Sequence, residues 1–106
     1  MTRNKNITIL GSTGSIGQSA LEVVRHLEGF NVLAISGRSN LAKLVEQAIE
    51  FKPRYLVAAD ERMAEDFTFP DLGETEILVG EGQLDFIASL EEVDMVLAAI
   101  VGVAGL

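Results

Sequence analysis

A doubly wound α/β domain, with about five parallel strands and helices on both faces, is the fold this 106-residue sequence predicts. Three observations predict it. Short β-branched and apolar runs alternate with stretches of helical periodicity. The strand-like runs are almost continuously apolar, as strands buried on both faces are. The first run also passes through a glycine-rich turn straight into a helix.

The first strand is Asn6-Ile7-Thr8-Ile9-Leu10, whose residue types suit a buried pleated surface. Gly11-Ser12-Thr13-Gly14-Ser15-Ile16-Gly17 breaks it. Ile16, Ala20, Leu21, Val24 and Leu27 then recur at helical spacing opposite Gln18, Ser19, Glu22 and Arg25, until Gly29 stops the helix. Residues 31–36 form a second strand ended by Gly37. Asn40 caps a second helix with Leu41, Leu44, Val45, Ala48 and Ile49 on one face, and Pro53 forbids its continuation.

Residues 55–59 make a third strand, and Asp60 caps a short acidic helix carrying Met63, Ala64 and Phe67. Residues 68–73 read as a loop from their Pro, Asp and Gly content. Residues 76–79 are a short fourth strand closed by Gly80. Residues 82–90 are a last helix with Leu84, Ile87 and Ala88 inward, and residues 93–100 a fifth, almost wholly apolar strand. The crossover rule predicts the order 3-2-1-4-5, with the glycine turn where the order reverses. No repeat or linker divides the chain, so residues 1–106 read as one domain.

The glycine turn carries the first functional reading. One glycine serves the tight turn, one lets backbone approach a pyrophosphate, and one allows close contact of helix and strand. The helix start aims unpaired N–H groups and about half a positive charge at an anion. Ser12, Thr13 and Ser15 add hydroxyl donors there. The spacing is G-x-x-G-x-x-G, looser than G-x-G-x-x-G, and a plain βα turn is the bland alternative.

Composition narrows the partners. With 48% hydrophobic residues the chain is globular. It carries no run of roughly 20 apolar residues and no apolar stretch after its basic start, so a soluble, non-membrane, cytoplasmic protein is expected. The absence of cysteine excludes disulfides, thiolate nucleophiles and zinc-thiolate sites. A net charge of −8 with only eight Lys and Arg argues against nucleic acid as partner. The nucleotide is thus a cofactor.

Which cofactor is read at the end of the second strand, where NAD-binding units place a carboxylate on the ribose 2′-hydroxyl. Here stand Ser36-Gly37-Arg38-Ser39-Asn40, with no acid. A guanidinium suits a 2′-phosphate because it makes two parallel bonds to phosphate oxygens, so NADP is preferred over NAD. The alternative leaves Arg38 solvated and Asn40 a helix cap alone.

Three blocks together resemble one family. The run N-I-T-I-L-G-S-T-G-S-I-G with Leu21-Glu22-Val23-Val24-Arg25-His26 is similar to the start of the 1-deoxy-D-xylulose 5-phosphate reductoisomerases. Leu44-Val45-Glu46-Gln47 with Phe51-Lys52-Pro53-Arg54-Tyr55 resembles that family's second helix and third strand. Asp94, Ala98-Ala99-Ile100-Val101-Gly102 and Ala104-Gly105-Leu106 resemble its fifth strand and the following turn.

The resemblance implies a Rossmann-like NADPH domain of an oxidoreductase of non-mevalonate isoprenoid biosynthesis. Such an enzyme rearranges 1-deoxy-D-xylulose 5-phosphate and reduces the product aldehyde to 2-C-methyl-D-erythritol 4-phosphate, with Mg or Mn chelating the substrate. By position, Thr13, Gly14, Ser15 and Ile16 hold the pyrophosphate, and Gly37, Arg38 and Asn40 the adenosine 2′-phosphate end. Ala99, Ile100 and Val101 lie beside the ribose or nicotinamide. The family's enzymes are several times longer, and their metal cluster, substrate-phosphate site and lid lie beyond residue 106. The chain is therefore expected to be an amino-terminal cofactor domain, inactive alone, of an enzyme that is a homodimer at full length.

No catalytic or metal-ligating residue is expected within the chain itself. His26, at a helix end, reads as structural, and Asp60-Glu61, Glu65-Asp66 and Glu91-Glu92 with Asp94 read as caps and solvated faces. Tyr55 opens a strand and packs. Two other functions fit the same residues: a stand-alone dinucleotide-sensing module, and the cofactor domain of another sugar-phosphate or semialdehyde reductase.

Overall fold

In the computed structural model, residues 4–99 are described. Strands and helices alternate along them: β1 (Lys5–Leu10), α1 (Ser15–His26), β2 (Phe30–Gly37), α2 (Leu41–Phe51), β3 (Tyr55–Ala58), α3 (Glu61–Glu65), β4 (Glu76–Val79), α4 (Gln83–Ala88) and β5 (Met95–Ala98). Local chemistry sets the boundaries. Asn40 Oδ1 accepts from the Lys43 N–H at the start of α2, and Asp60 Oδ1 accepts from the Arg62 and Met63 N–H groups at the start of α3. Lys52 ends α2 in the left-handed conformation at φ 50°, directly before Pro53. The fifth strand is shorter than expected, and residue 100 of that expectation lies outside the described residues.

All pairings in the five-stranded sheet are parallel, and its order is β4-β3-β2-β1-β5. The expected order 3-2-1-4-5 is corrected here. The reversal comes one strand later: β4 stays beside β3, in register from Tyr55↔Glu76 to Ala58↔Val79. Two contacts ahead of that pairing hold it there, the Thr75 hydroxyl donating to the Pro53 carbonyl at 2.6 Å and the Glu76 N–H to the Arg54 carbonyl at 2.8 Å.

The helix α4 then makes the long crossing. Its Phe86 meets the Tyr55 ring edge-on at 5.3 Å, and its Ile87 carbonyl accepts from buried Thr8 Oγ1 in β1 at 3.0 Å. The crossing delivers β5 to the free side of β1, with Leu10 opposite Ala98. With right-handed crossovers, helices cover both faces of the sheet only if the direction reverses, and the packing of α4 decides after which strand. Since β1 still separates the two directions, the glycine turn at its carboxyl end remains at the switch point.

Two apolar layers sandwich the sheet. On one face Ile7, Ile9, Leu21, Val32, Ile35, Leu41, Leu44, Ala48 and Leu56 join β1, β2 and β3 to α1 and α2. On the other Ala34, Tyr55, Val57, Ala59 and Ile87 join β2 and β3 to α4. Thr8 faces the second layer while its neighbours Ile7 and Ile9 face the first, the alternation that a pleated strand imposes. Burial falls at the two edges, where Val79 of β4 and Met95 and Val96 of β5 are exposed.

Candidate cofactor cleft

Two loops at the carboxyl ends of β1 and β2 form the site. In the first, Gly11 turns the chain out of β1 at φ 82°, a region that disfavours any side chain. Its N–H donates to Ser36 Oγ at 2.9 Å, and the Ser12 N–H to the Ser36 carbonyl at 2.8 Å, so the turn is tied to the end of β2. Gly17 permits the next step. A Cβ on it would stand 2.3 Å from the Gly11 carbonyl oxygen and 2.5 Å from Ser12 Cα, both backbone atoms, so only glycine lets α1 press against the turn.

Ser12 corrects one expectation. Its side chain is fully buried and points inward, its hydroxyl donating to Gln47 Oε1 at 2.6 Å with the Ser36 carbonyl 3.3 Å away. It therefore braces the loop and does not offer its hydroxyl to a phosphate. Its partner Gln47 escaped the sequence reading. The Gln47 amide nitrogen donates back to the Ser12 carbonyl at 2.9 Å, so one buried side chain satisfies two polar groups of the turn. The signal was a polar residue three positions after Leu44, on the apolar face of α2.

The end of α1 is left open. Gly14 is its N-cap, with φ −76° and ψ 174°, and no side chain caps the helix. Asn40 and Asp60 do cap α2 and α3. The first N–H groups of α1, from Ser15 onward, therefore keep their need for an acceptor beside Gly14, which offers no side chain of its own. Gln18 Nε2 donates to the Thr13 carbonyl at 2.8 Å and steadies the turn from outside.

Thr13 links this loop to the second. A Cβ built on Gly37 would lie 3.1 Å from Thr13 Oγ1, so the absence of a side chain at Gly37 makes room for the threonine. Arg38 follows, with Nη1 donating to Glu81 Oε2 at 3.1 Å. Glu81 is lowered from the usual carboxylate range, first by its hydrogen bond to Arg38 and next by that residue's charge. The Arg38 guanidinium is raised, chiefly by its hydrogen bond to Glu81.

Between the loops lies a cleft of about 350 Å³ lined by Gly11, Thr13, Gly14, Gly37, Arg38 and Ala99, among others. The size falls within the roughly 300–1,000 Å³ usual for small-ligand sites. Of the residues singled out in the sequence, Thr13, Gly14, Gly37 and Arg38 line it, while Ser15 and Ile16 open α1 and Asn40 opens α2 at its margins. Ala99 is buried at its floor; Ile100 and Val101 lie outside the described residues. A larger hollow of about 710 Å³ sits at the opposite end, lined by Lys52, Pro53, Arg54, Gly73 and Thr75 among others. It borders the amino ends of β3 and β4, whereas ligands of open α/β sheets sit at the carboxyl ends of strands.

Several titratable groups away from the cleft have structural partners. His26 is exposed and pairs with Glu22 at 2.9 Å. Arg25 pairs with Glu22 and Glu50, Arg54 pairs with Glu92 at 2.7 Å, and Asp94 accepts from the Asn6 N–H at 2.7 Å. Tyr55 is buried and packs, as expected. Among the described residues no group of three or more His, Asp or Glu is placed to hold a metal ion, and no helix is long and apolar enough to cross a membrane.

Comparison with known proteins assigns this geometry a lineage. The sequence model of 1-deoxy-D-xylulose 5-phosphate reductoisomerase matches residues 7–106. Over its whole length the chain is 46% identical to that enzyme of Francisella tularensis subsp. novicida, and 47% identical to that of Stutzerimonas stutzeri, spanning 27% and 28% of those proteins. A crystal structure of DOX-P reductoisomerase in complex with NADPH, fosmidomycin and magnesium superposes with a TM-score of 0.79 at 37% identity, over 92% of this chain and 25% of that one. The Zymomonas mobilis reductoisomerase in complex with NADPH superposes with a TM-score of 0.76 at 28% identity, over 94% of this chain and 27% of that one. A glycine turn ahead of an uncapped helix, an acid-free second loop and these matches agree: the chain belongs to the 1-deoxy-D-xylulose 5-phosphate reductoisomerase family.

Proposed function

We propose that this chain is the NADPH-holding part of a reductoisomerase that converts 1-deoxy-D-xylulose 5-phosphate to 2-C-methyl-D-erythritol 4-phosphate. One observation carries the assignment: the open N-terminus of α1 and the guanidinium of Arg38 border a single cleft. In this reading Thr13, Gly14, Ser15 and Ile16 hold the pyrophosphate through the turn and the helix N–H groups. Gly37, Arg38 and Asn40 take the 2′-phosphate end of adenosine, Asn40 using its amide nitrogen while its oxygen caps α2. Ala99 supports the ribose on the other side of β1.

Bound NADPH would supply a hydride for reducing the aldehyde. The part of this chain is to bind, orient and shield. It spans about a quarter of its curated relatives, and the substrate and divalent metal are assigned to the remainder of such an enzyme, Mg or Mn in this proposal. Two solved neighbours were crystallised with magnesium and fosmidomycin, which supports a divalent metal in the full-length enzyme. A cytoplasmic homodimer is the proposed form of the full-length enzyme.

Calorimetric titration of the 106-residue chain with NADPH and NADH tests the cofactor assignment. NADPH is expected to bind at least about tenfold tighter, the discrimination one charge-assisted phosphate contact provides. Equal affinities would remove the 2′-phosphate assignment.

A further inference from the structure

Arg38 is already engaged. Its Nη1 donates to Glu81 at 3.1 Å, a residue 43 positions away that reaches the cleft because β4 lies beside β3. Asp60, the N-cap of α3, adds a second negative charge within electrostatic range of the same guanidinium. A dianionic 2′-phosphate arriving at Arg38 thus meets one cation flanked by two carboxylates.

We propose that Glu81 is a specificity-determining residue, a carboxylate latch on Arg38 that the 2′-phosphate must displace. The inference rests on the reading of Arg38 as the 2′-phosphate contact.

Two opposing effects decide its sign. Glu81 could hold the guanidinium in place and so favour phosphate binding, or it could compete for the same donors and repel the incoming charge. The Arg38 and Glu81 side chains are 46% and 69% exposed, and the pair makes a single contact. An exposed monodentate ion pair fixes geometry weakly. Competition outweighs this positioning, since Glu81 occupies the Arg38 Nη1 donor and its charge also repels an incoming dianion. Glu81 therefore weakens recognition of the 2′-phosphate and leaves a ligand without that group unaffected.

The test uses adenosine 2′,5′-bisphosphate and adenosine 5′-monophosphate as probes, so that the nicotinamide end plays no part. Glu81→Gln should bind the bisphosphate three- to tenfold tighter than the unaltered chain and the monophosphate equally. In an Arg38→Ala background the same substitution should change bisphosphate affinity less than twofold, because the latch acts through the arginine. If Arg38→Ala weakens the bisphosphate while Glu81→Gln leaves it unchanged or weaker, the latch is overturned and the 2′-phosphate site stands. A gain that persists without Arg38 also overturns it, as general charge repulsion. If Arg38→Ala leaves the bisphosphate unaffected, the site assignment fails and takes the latch with it.

Discussion

The two ends of the cleft are built on opposite terms. At the end proposed for the pyrophosphate the glycine turn is braced from below by buried Ser12, Ser36 and Gln47, and nothing charged is used. At the end proposed for adenosine stands an exposed guanidinium on a loop, held by an exposed carboxylate. The first end depends on close packing, where a few tenths of an ångström matter. The second depends on charge, which neighbours can tune without disturbing the fold. Changes at the first should therefore cost stability and all nucleotide binding together, whereas changes at the second should alter selectivity alone.

The sharpest break is Gly17→Ala. The added Cβ would meet backbone at 2.3 Å, which no rotamer change relieves, so urea denaturation should show a loss of about 3 kcal/mol, the upper range for overpacking. NADPH and NADH binding should fall equally. Gln47→Leu comes next. It leaves the buried Ser12 carbonyl without its partner and the hydroxyl with only the longer contact to the Ser36 carbonyl, and about 2 kcal/mol of stability should be lost by the same measurement, with both nucleotides again weakened.

At the other end the pattern inverts. Arg38→Ala should weaken NADPH about tenfold and NADH hardly at all, with an unchanged denaturation midpoint. Equal losses for the two cofactors would erase the contrast between the ends. Asn40→Ala belongs to both: losing the α2 cap should cost about 1 kcal/mol, and losing the amide nitrogen should reduce NADPH affinity modestly.

The smallest effect expected lies away from the cleft, where Arg25 binds Glu50 between α1 and α2. The Glu50 carboxyl is held below its ordinary range, first by the hydrogen bond from Arg25 and, less strongly, by its charge. A depressed folded value means stability present above the unfolded value and lost as pH falls through the folded one. Glu50→Gln should therefore be slightly less stable than the unaltered chain at neutral pH, and the difference should vanish in acid. Both partners are well exposed, so the gap stays small.

Much of this was legible in the residues. The glycine turn, the strand at residues 76–79 and the caps at Asn40 and Asp60 are local features, set by neighbours within a few positions, and each appears where the pattern places it. Strand order is not local. Nothing in the periodicity of residues 76–98 says whether the fourth or fifth strand pairs with β1, because that depends on how α4 rests across the sheet on Tyr55 and Thr8. The same distance hid Glu81, which meets Arg38 only through the placement of β4. Ser12 was misread for a different reason: three hydroxyls share the turn, and composition cannot tell which one faces the core. Gln47 was the missed clue, a polar side chain on an apolar helix face that required a buried partner.

Whether NADPH lies on the open start of α1 and reaches Arg38, as proposed, is read most directly by an amide NMR titration of the ¹⁵N-labelled chain with NADPH. The largest shifts are expected at Gly14, Ser15, Ile16 and Gly17, with a second group at Gly37, Arg38 and Asn40. Shifts concentrated instead at Lys52, Arg54 and Gly73, around the larger hollow at the other end of the sheet, would contradict it.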